Sequence, residues 1–318
     1  MAFERIALPT TARAAIAARS RRPGWRVQQN RAFMAALVPA LAVLAAITLG
    51  PTIYLLVTSL TPLNLVNPAT ALDFSAPARN YVALMADTRF LNSLWVQAKM
   101  SLATVAGQLA LGLGIALLLN TRSRILELVR TAFLIPMVLP PIVVAVIWKV
   151  IYTPDVSPLH QLLAAAGMPV HSLISRSGTA LWALVAAETW EWFPFTMLMV
   201  LAALQMIPME PIEAARIDGA GRLQLFRHIL FPYIRPTLIV AGLFRLIDSF
   251  KAFPLIYVLT NGGPGTATEV TNYYAFVEAF NFSYWGYGSA IATLMVAGVL
   301  LLSWIIERLT GGQAVDDP

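Results

Sequence analysis

One short stretch of this chain, residues 188–195 (ETWEWFPF), places two carboxylates among four aromatic rings. A carboxylate accepts hydrogen bonds from hydroxyl groups, and an aromatic ring stacks against an apolar ligand face. Glu188 and Glu191 are therefore candidates for binding a hydroxyl-rich ligand, with Trp192 as a stacking partner. The alternative is that these aromatic rings only pack against neighbouring groups and bind no ligand, because tryptophan also favours membrane interfaces and aromatics often fill space beside a proline. The two acids are not interpreted as a glycosidase pair, since nothing in the sequence supplies an aqueous cleft.

Other charged residues also lie inside strongly apolar stretches, among them Lys99, Lys149, Arg245, Asp248 and Lys251. A charge at the bilayer centre costs about 2.5–3.5 kcal/mol on insertion scales, so each needs a protein or water environment. Arg245, Asp248 and Lys251 follow at i, i+3 and i+6, so the carboxylate can reach either cation. The set is either a structural ladder of ion pairs or the polar wall of a translocation path. The candidate path residues are Glu188, Glu191, Trp192, Asp248 and Lys251.

The elements that carry these residues are apolar and long. The chain is 58% hydrophobic and 12% charged, against about 25% charged in soluble domains. Six segments reach the length of about 20 residues that crosses a bilayer as a helix. They are continuously apolar, which favours helices over a β-barrel. The prediction is an all-α membrane protein with six transmembrane helices, at 32–60, 92–119, 131–152, 179–204, 236–260 and 287–309.

The arginines predict the orientation. Fifteen lie in the N-terminal tail, in the connections near 120–130 and 205–235, and at the end of the last span, against three on the other side. The positive-inside rule then places both termini in the cytoplasm and the chain in the inner membrane as a multi-pass protein. The basic N-terminal region is too long for a signal peptide, although an organellar transit peptide remains an alternative.

The predicted organisation follows from these spans. It comprises a basic tail at 1–31, the first transmembrane helix with an extracytoplasmic loop at 32–91, a five-helix core at 92–309 with a cytoplasmic loop at 205–235, and a short tail at 310–318. In the second span, Gly107 and the pair at 112 and 114 offer small faces for close contact. The partner of these faces is a neighbouring span or, alternatively, a second membrane subunit.

Several kinds of chemistry have no residues to support them. There is no cysteine, and the three histidines match no metal-ligand spacing. No GxxxxGK[ST] loop is present for binding ATP. We therefore expect no catalytic residues, no metal site and no cofactor on this chain, and any energy must come from an ion gradient or a partner. The arginines lie beside apolar spans and not among aromatics, so membrane lipid is expected to be in contact with them and nucleic acid is not.

The loop at 205–235 interrupts the apolar pattern with a helix–turn–helix pattern. Pro208 and Pro211 can begin a helix, and acidic residues near that beginning suit the helix dipole. Asp218, Gly219 and Gly221 are turn residues. A second short helix is predicted to carry an apolar stripe, formed by Leu223, Phe226, Ile229 and Leu230. From these features alone, the loop is either a docking surface or an amphipathic connection resting on lipid headgroups.

The spacing within this loop resembles the "EAA" signature of ABC importer membrane subunits. The matching residues are Glu213, Ala214, Ala215, Asp218, Gly219, Ile229 and Pro232. The family usually has leucine before that proline, and this chain has Phe231. The resemblance implies a type I ABC importer permease fold, in which this loop is the coupling helix that docks on a dimer of ATP-binding subunits. ATP and Mg²⁺ would then be bound by that partner, and a second permease subunit and an extracytoplasmic solute-binding protein would complete the importer.

A second stretch, LTNGGPG at 259–265, is similar to the carbohydrate-uptake branch of these permeases, of the maltose and glycerol-phosphate type. Asn261, Gly262, Gly263 and Pro264 form an irregular turn at the outer end of span five, which makes them a candidate outer-gate loop. The alternative is an ordinary extracytoplasmic turn. The resemblance covers about residues 90–310 and implies import of a sugar, polyol or glycerol derivative.

Three other functions compete with this one. An ion-gradient-driven transporter would use Asp248 and Glu191 as ion sites but would not need an ATPase docking loop. A peptide or amino-acid permease would share the loop but not the TNGGP stretch. A membrane scaffold would have no ATPase partner.

Overall fold

The structure is a computed structural model that describes residues 25–310 except 122, 155 and 168–170. Residues 1–24 of the predicted tail at 1–31, and residues 311–318 of the predicted tail at 310–318, lie outside the described residues. Within the described part the chain is helical, and its only bridge of β type is an isolated one between Asn64 and Asn67. The chain divides into two units, Met1–Leu55 and Leu56–Pro318.

The first long helix, α1, runs from Trp25 to Ser59 and contains Pro39 and Pro51. Its apolar part, Phe33–Ser59, is long enough to cross a membrane, and none of its most apolar window is buried. A helix that is apolar and unburied suits a lipid or protein environment and not water. The helix matches the predicted span at 32–60.

The second unit holds the remaining helices. In chain order they are α2 (Arg79–Ala86), α3 (Thr88–Leu119), α4 (Arg124–Phe133), α5 (Ile135–Val138), α6 (Pro141–Tyr152), α7 (Pro158–Ala165), α8 (Ser177–Gln205), α9 (Met209–Ile217), α10 (Arg222–Leu225), α11 (Phe231–Ser249), α12 (Pro254–Leu259), α13 (Thr271–Phe276) and α14 (Trp285–Thr310). In the described part, four helices are long and apolar enough to span a membrane, or up to six if each bent pair is one span. The predicted spans at 92–119, 179–204 and 287–309 correspond to α3, α8 and α14.

The predicted third span is bent. Ile125–Val138 and Pro141–Tyr152 meet at an angle of 98°. Pro140 has an extended backbone (φ −59°, ψ 137°), and the residue before a proline disfavours the helical conformation. Two consecutive prolines therefore divide an apolar stretch that its hydropathy alone predicted to be one helix.

The predicted fifth span has different limits. A continuous apolar helical stretch begins at Arg222 and ends at Ser249, well before the predicted end at residue 260. Pro254 suits the first turn of a new helix and begins α12, and the Asn272 side chain donates a hydrogen bond to the Phe250 carbonyl at the break. The second short helix predicted in the cytoplasmic loop is thus the beginning of this span, joined to α11 through a π-helical turn at Phe226–Leu230.

Helix α8 lies at the centre of the second unit, between α3 and α11. Glycines allow its close approach to α3: a Cβ built on Gly107 would lie 2.9 Å from Thr189 Oγ1, and one on Gly112 would lie 2.6 Å from Thr196 Cβ. The neighbouring-span interpretation is therefore confirmed for these two glycines. A Cβ on Gly114 would meet nothing within 4 Å.

Candidate functional site

A cavity of about 190 Å³ lies between α8, the end of α11 and the start of α12. It brings together all the candidate path residues that the sequence predicted. Its lining comprises Glu188, Glu191, Trp192, Arg245, Asp248 and Lys251, together with Pro141, Ala252, Pro254 and Leu255. Residues from distant parts of the sequence thus form one polar cavity inside an apolar helical bundle.

Arg245 is the centre of the charges in this cavity. Its guanidinium lies 3.6 Å from Glu188 Oε1 and 3.2 Å from Asp248 Oδ2. Lys251 Nζ lies 3.0 Å from Asp248 Oδ1. Asp248 therefore bridges both cations, as the i, i+3, i+6 spacing predicted. Because Arg245 is only 2% exposed, its charge depends on these partners and not on water for its stabilisation.

A polar residue that the sequence interpretation missed completes this network. Gln108 of α3 accepts a hydrogen bond from Arg245 Nε at 3.0 Å and donates one to the Glu188 carbonyl at 3.1 Å. Ser249, which lies one helical turn after Arg245 on α11, donates a hydrogen bond to Ser101 Oγ of α3 at 2.7 Å. These bonds join α3 to α8 and α11. The signal that could have found Gln108 is a buried amide inside an otherwise apolar span.

Glu191 differs from the other acids of the cavity. It is 2% exposed, and its Oε1 has no hydrogen-bond partner in the described residues. A buried carboxyl oxygen without a partner loses the full value of its hydration. Glu191 is therefore a buried lining group with unused hydrogen-bonding capacity.

The aromatic rings of the ETWEWFPF stretch have separate surroundings. Trp192 lines the cavity, and the Arg245 guanidinium lies 4.3 Å from its ring centroid. Trp190 packs edge-on against Trp148, and Phe195 packs against Phe244. Of these three rings only Trp192 reaches the cavity, and one of its faces is already covered by a cation.

The coupling segment, which we define as residues 209–232, begins with α9. Pro208 caps this helix and Glu210 lies in its first turn, as predicted. Gly219 follows with φ +83°, a left-handed conformation that favours glycine. Glu213 and Ala214 are exposed and Ala215 is half-buried. The segment therefore has a defined backbone but presents most of its signature residues outward.

A shallow groove of about 330 Å³ lies on this segment. Its lining includes Ala215, Asp218, Gly219 and Ile229 of the signature, but not Glu213, Ala214 or Pro232. Beside the signature, four large apolar side chains are more than half exposed, namely Met206, Met209, Ile217 and Leu223.

The predicted apolar stripe on the second helix is only partly correct. Phe226 and Leu230 pack on the core cluster around Phe193 and Met197, but Leu223 is 77% exposed. A helix is present as predicted, but Phe226–Leu230 forms a π-helical turn, and Leu223 was wrongly assigned to the buried face.

The loop predicted as an outer gate is tightly built. Asn261 has φ 48° and Gly262 has φ 78°, and the peptide bond between Gly263 and Pro264 is cis. A Cβ on Gly262 would lie 2.8 Å from the Tyr273 ring. Thr268 Oγ1 donates to the Gly263 carbonyl at 2.7 Å. None of the four candidate gate residues lines the cavity of Glu191.

A cluster around Arg89 anchors this loop to the start of α3. Arg89 binds Glu269 with two hydrogen bonds, at 2.8 and 2.7 Å. Asp87 caps α3 by accepting from two backbone N–H groups and also accepts from the hydroxyls of Tyr274 (2.5 Å) and Tyr287 (2.6 Å). Burial raises the pKa of Asp87, but these hydrogen bonds outweigh burial and hold the pKa below its ordinary value.

Comparison with known proteins explains this architecture. Residues 108–311 match the family model described as the inner membrane component of binding-protein-dependent transport systems. The chain belongs to this family. An ion-gradient-driven transporter and a non-transporting scaffold are thereby excluded as descriptions of the chain, and the predicted resemblance to ABC importer permeases is confirmed.

The curated relatives are permease subunits. The trehalose/maltose transport system permease protein MalF of Thermococcus litoralis is 37% identical over 74% of this chain and 79% of its own length. The trehalose transport system permease protein SugA of Mycobacterium tuberculosis is 32% identical over 92% of this chain and 93% of its own length. Since the relatives are named as transport subunits, the chain is a permease and not an enzyme.

A solved structure shares the fold. One chain of a bacterial ABC transporter for the acidic polysaccharide alginate superposes with a TM-score of 0.78 and 18% identity, over 91% of this chain and 98% of that chain. At this identity the similarity shows the fold alone. The predicted type I importer permease fold is confirmed, and the orientation of the termini remains a prediction.

Proposed function

We propose that this chain is the permease subunit of an ATP-driven importer for a carbohydrate or polyol, and that the cavity lined by Glu191 is part of its translocation path. Relatives whose names specify trehalose, maltose or sulfoquinovosyl glycerol support this substrate class. Carboxylates and an aromatic ring beside a cavity are suited to binding hydroxyl-rich ligands.

One observation carries the assignment of the path. The charged residues of α8 and α11 meet in one cavity, where Glu191 keeps a buried oxygen without a partner. A ladder of ion pairs that only stabilises the bundle needs no cavity and no unpaired acid. A ligand hydroxyl entering the cavity would supply the missing hydrogen bond.

The coupling segment is proposed to dock on the ATP-binding subunits. Its exposed Glu213 would make a polar contact, Ala214 and Ala215 would permit close approach, and Gly219 provides the turn between α9 and the next helix. Ile229 and Pro232 belong to the helix that continues into the membrane span. A movement imposed on α9 could therefore reach the cavity through α11.

The remaining partners follow from the same proposal. A second permease subunit would form the other half of the path. A solute-binding protein would deliver substrate at the extracytoplasmic side, where the loop of Asn261, Gly262, Gly263 and Pro264 would contribute to the outer gate. The inner-membrane location with both termini in the cytoplasm is part of this proposal, supported by the distribution of arginines.

The experiment compares two acids in the reconstituted importer. Glu191→Ala should lower uptake of the transported sugar without reducing assembly, because it removes the free hydrogen-bonding group of the cavity. Glu127→Ala is the matched control, since Glu127 is an exposed acid on α4. Uptake is measured in proteoliposomes with a panel of sugars, polyols, glycerol phosphodiesters and dipeptides.

Three outcomes decide the proposal. Sugar or polyol uptake that falls with Glu191→Ala and not with Glu127→Ala supports it. Equal uptake by the Glu191→Ala and wild-type complexes would remove Glu191 from the path. Uptake of dipeptides alone would overturn the carbohydrate class and favour the peptide alternative.

A further inference from the structure

The cavity lined by Glu191 has an unequal number of acidic and basic groups. The lining has three carboxyl groups and only two cations. The carboxyl groups belong to Glu188, Glu191 and Asp248, and the cations are Arg245 and Lys251. Whether a ligand anion can bind there depends on whether either cation is available. The inference drawn from this balance rests on the proposed role of the cavity as part of the path.

Arg245 has little left to offer a ligand. Its Nε donates to Gln108, its Nη1 donates to Asp248, and its Nη2 lies beside Glu188. The Trp192 ring covers one face of the guanidinium. Because the residue is also 2% exposed, a ligand carboxylate could reach it only by displacing a carboxylate that is already in place.

Lys251 is accessible but already paired. Its Nζ lies 3.0 Å from Asp248 Oδ1, and its side chain is 73% exposed. A ligand anion that captured this ammonium would leave Asp248 with a single cation shared with Glu188. The ammonium has further N–H donors, but its charge is already balanced by Asp248, so a ligand anion would add a further negative charge to a cavity that holds three carboxyl groups and two cations.

Unlike the two cations, Glu191 has an oxygen without a hydrogen-bond partner in the described residues, and it can interact with a ligand directly. As an ionised carboxylate it accepts hydrogen bonds from ligand hydroxyls, and as a neutral acid it can both donate and accept. A ligand anion placed beside an ionised carboxylate meets like-charge repulsion, which disfavours the wrong partner. Both forms of Glu191 can pair with a ligand hydroxyl, whereas the ionised form repels a ligand carboxylate, so the unpaired group accommodates hydroxyls in either state.

We propose that this cavity selects uncharged carbohydrates over anionic ones, and that Glu191 is the residue that determines this selectivity. Arg245 and Lys251 are positioning residues in this account, because they hold the carboxylates of the cavity and their charges are balanced by those carboxylates.

A cysteine reporter can test the selectivity at the cavity itself. The chain has no native cysteine, and Ala252 lines the cavity, so Ala252→Cys introduces one thiol there. The rate of maleimide labelling of this chain is measured in the full importer complex in lipid nanodiscs, without the solute-binding protein, whose own specificity would otherwise be included. Ser75→Cys, on an exposed loop residue outside the cavity, is the control for nonspecific effects of the ligand.

The probes are methyl glucoside and methyl glucuronide, which differ by a carboxylate at C6. We expect the glucoside to slow labelling of Ala252→Cys, and the glucuronide to require about tenfold higher concentration for the same protection. Adding Glu191→Gln, which keeps the shape of the side chain, should make the protecting concentrations of the glucoside and the glucuronide nearly equal. Adding Glu127→Gln instead should leave it unchanged.

Any of three results would overturn the selectivity while leaving the path assignment intact. The first is equal or stronger protection by the glucuronide, and the second is a ratio that Glu191→Gln does not change. Stronger protection by methyl glucosaminide than by the glucoside would also overturn it, because Glu191 would then select cations. If neither sugar protects Ala252→Cys although uptake of sugar by the importer is normal, the cavity is not on the path, and both proposals about it fail.

Discussion

The cavity and the coupling segment use polar residues in opposite ways. In the cavity, Arg245 of α11 forms ion pairs with Glu188 of α8 and with Asp248 of its own helix. In the coupling segment, Glu213 and Ala214 are exposed, and a Cβ on Gly219 would meet nothing within 4 Å. The paired cavity residues bind each other within the chain, whereas Glu213, Ala214 and Gly219 are exposed on a turn held by backbone hydrogen bonds. Substitutions of the paired cavity residues should therefore affect stability, and substitutions in the coupling segment should affect coupling.

The largest effect is expected at Arg245. Arg245→Met leaves Glu188 and Asp248 in the cavity without their shared cation, and breaking a buried ion pair on one side costs about 3–5 kcal/mol. We expect the purified variant complex to unfold at a clearly lower temperature. Arg235→Met is the control, because Arg235 lies on the same helix but is exposed.

A double variant sharpens this prediction. Arg245→Met combined with Glu188→Gln removes both charges of one pair, so it should be less destabilised than the sum of the two single variants. Additive losses would show that the pair at 3.6 Å contributes no coupling and would weaken the description of the cavity as an internally paired network.

Coupling should be lost at Gly219 with a smaller loss of stability than at Arg245. Gly219→Trp places a large side chain on an exposed turn with φ +83°. The left-handed conformation itself costs about 1–2 kcal/mol for a residue with a Cβ, and the indole would block a close docking partner. We expect uptake and substrate-stimulated ATP hydrolysis to fall by about tenfold or more, as for loss of an interface hot spot.

The matched control for this variant is Gly221→Ala. Gly221 lies two positions away without a positive φ, and we expect nearly normal coupling. Glu213→Lys should uncouple as Gly219→Trp does, because it reverses an exposed charge on the docking face. Normal substrate-stimulated ATP hydrolysis in both Gly219→Trp and Glu213→Lys would contradict the docking assignment.

The cluster around Arg89 should show the smallest effect, because it is only partly buried. The pKa of Asp87 is lowered from 3.8, so this carboxylate stabilises the fold above about pH 4 and loses that contribution as pH falls through its folded pKa. Asp87→Asn should cost about 1 kcal/mol at neutral pH, because the hydroxyls of Tyr274 and Tyr287 then donate to a neutral amide oxygen in place of a carboxylate. It should also flatten the loss of stability at acid pH. Thermal unfolding from pH 7 to pH 3 checks this, with Glu127→Gln as the control.

The sequence predicted most of the helices because continuous apolar runs of membrane length have few alternatives. It failed where proline and side-chain capping decide a boundary, as at Pro140 and at the break after Ser249. A hydropathy profile does not show these two helix breaks, because both lie within apolar stretches.

The two candidate regions were predictable for different reasons. The coupling segment was identified by resemblance, because residues that serve an external partner have no internal contacts from which to infer a role. The cavity residues were identified by the cost of placing charges in a membrane. Gln108 was missed, because an uncharged amide gives a weaker signal, and the contact of Arg245 with Trp192 depends on how α8 and α11 pack.

The central claim is that the cavity is part of the translocation path, and access to Ala252→Cys from the two sides of the membrane tests it most directly. The reporter is labelled with a membrane-impermeant maleimide in the reconstituted complex, from each side, with and without bound ATP. If the cavity is on an alternating-access path, the side from which the thiol reacts faster should change when ATP binds. Labelling from one side only, at the same rate in both states and in a complex that transports normally, would contradict the account.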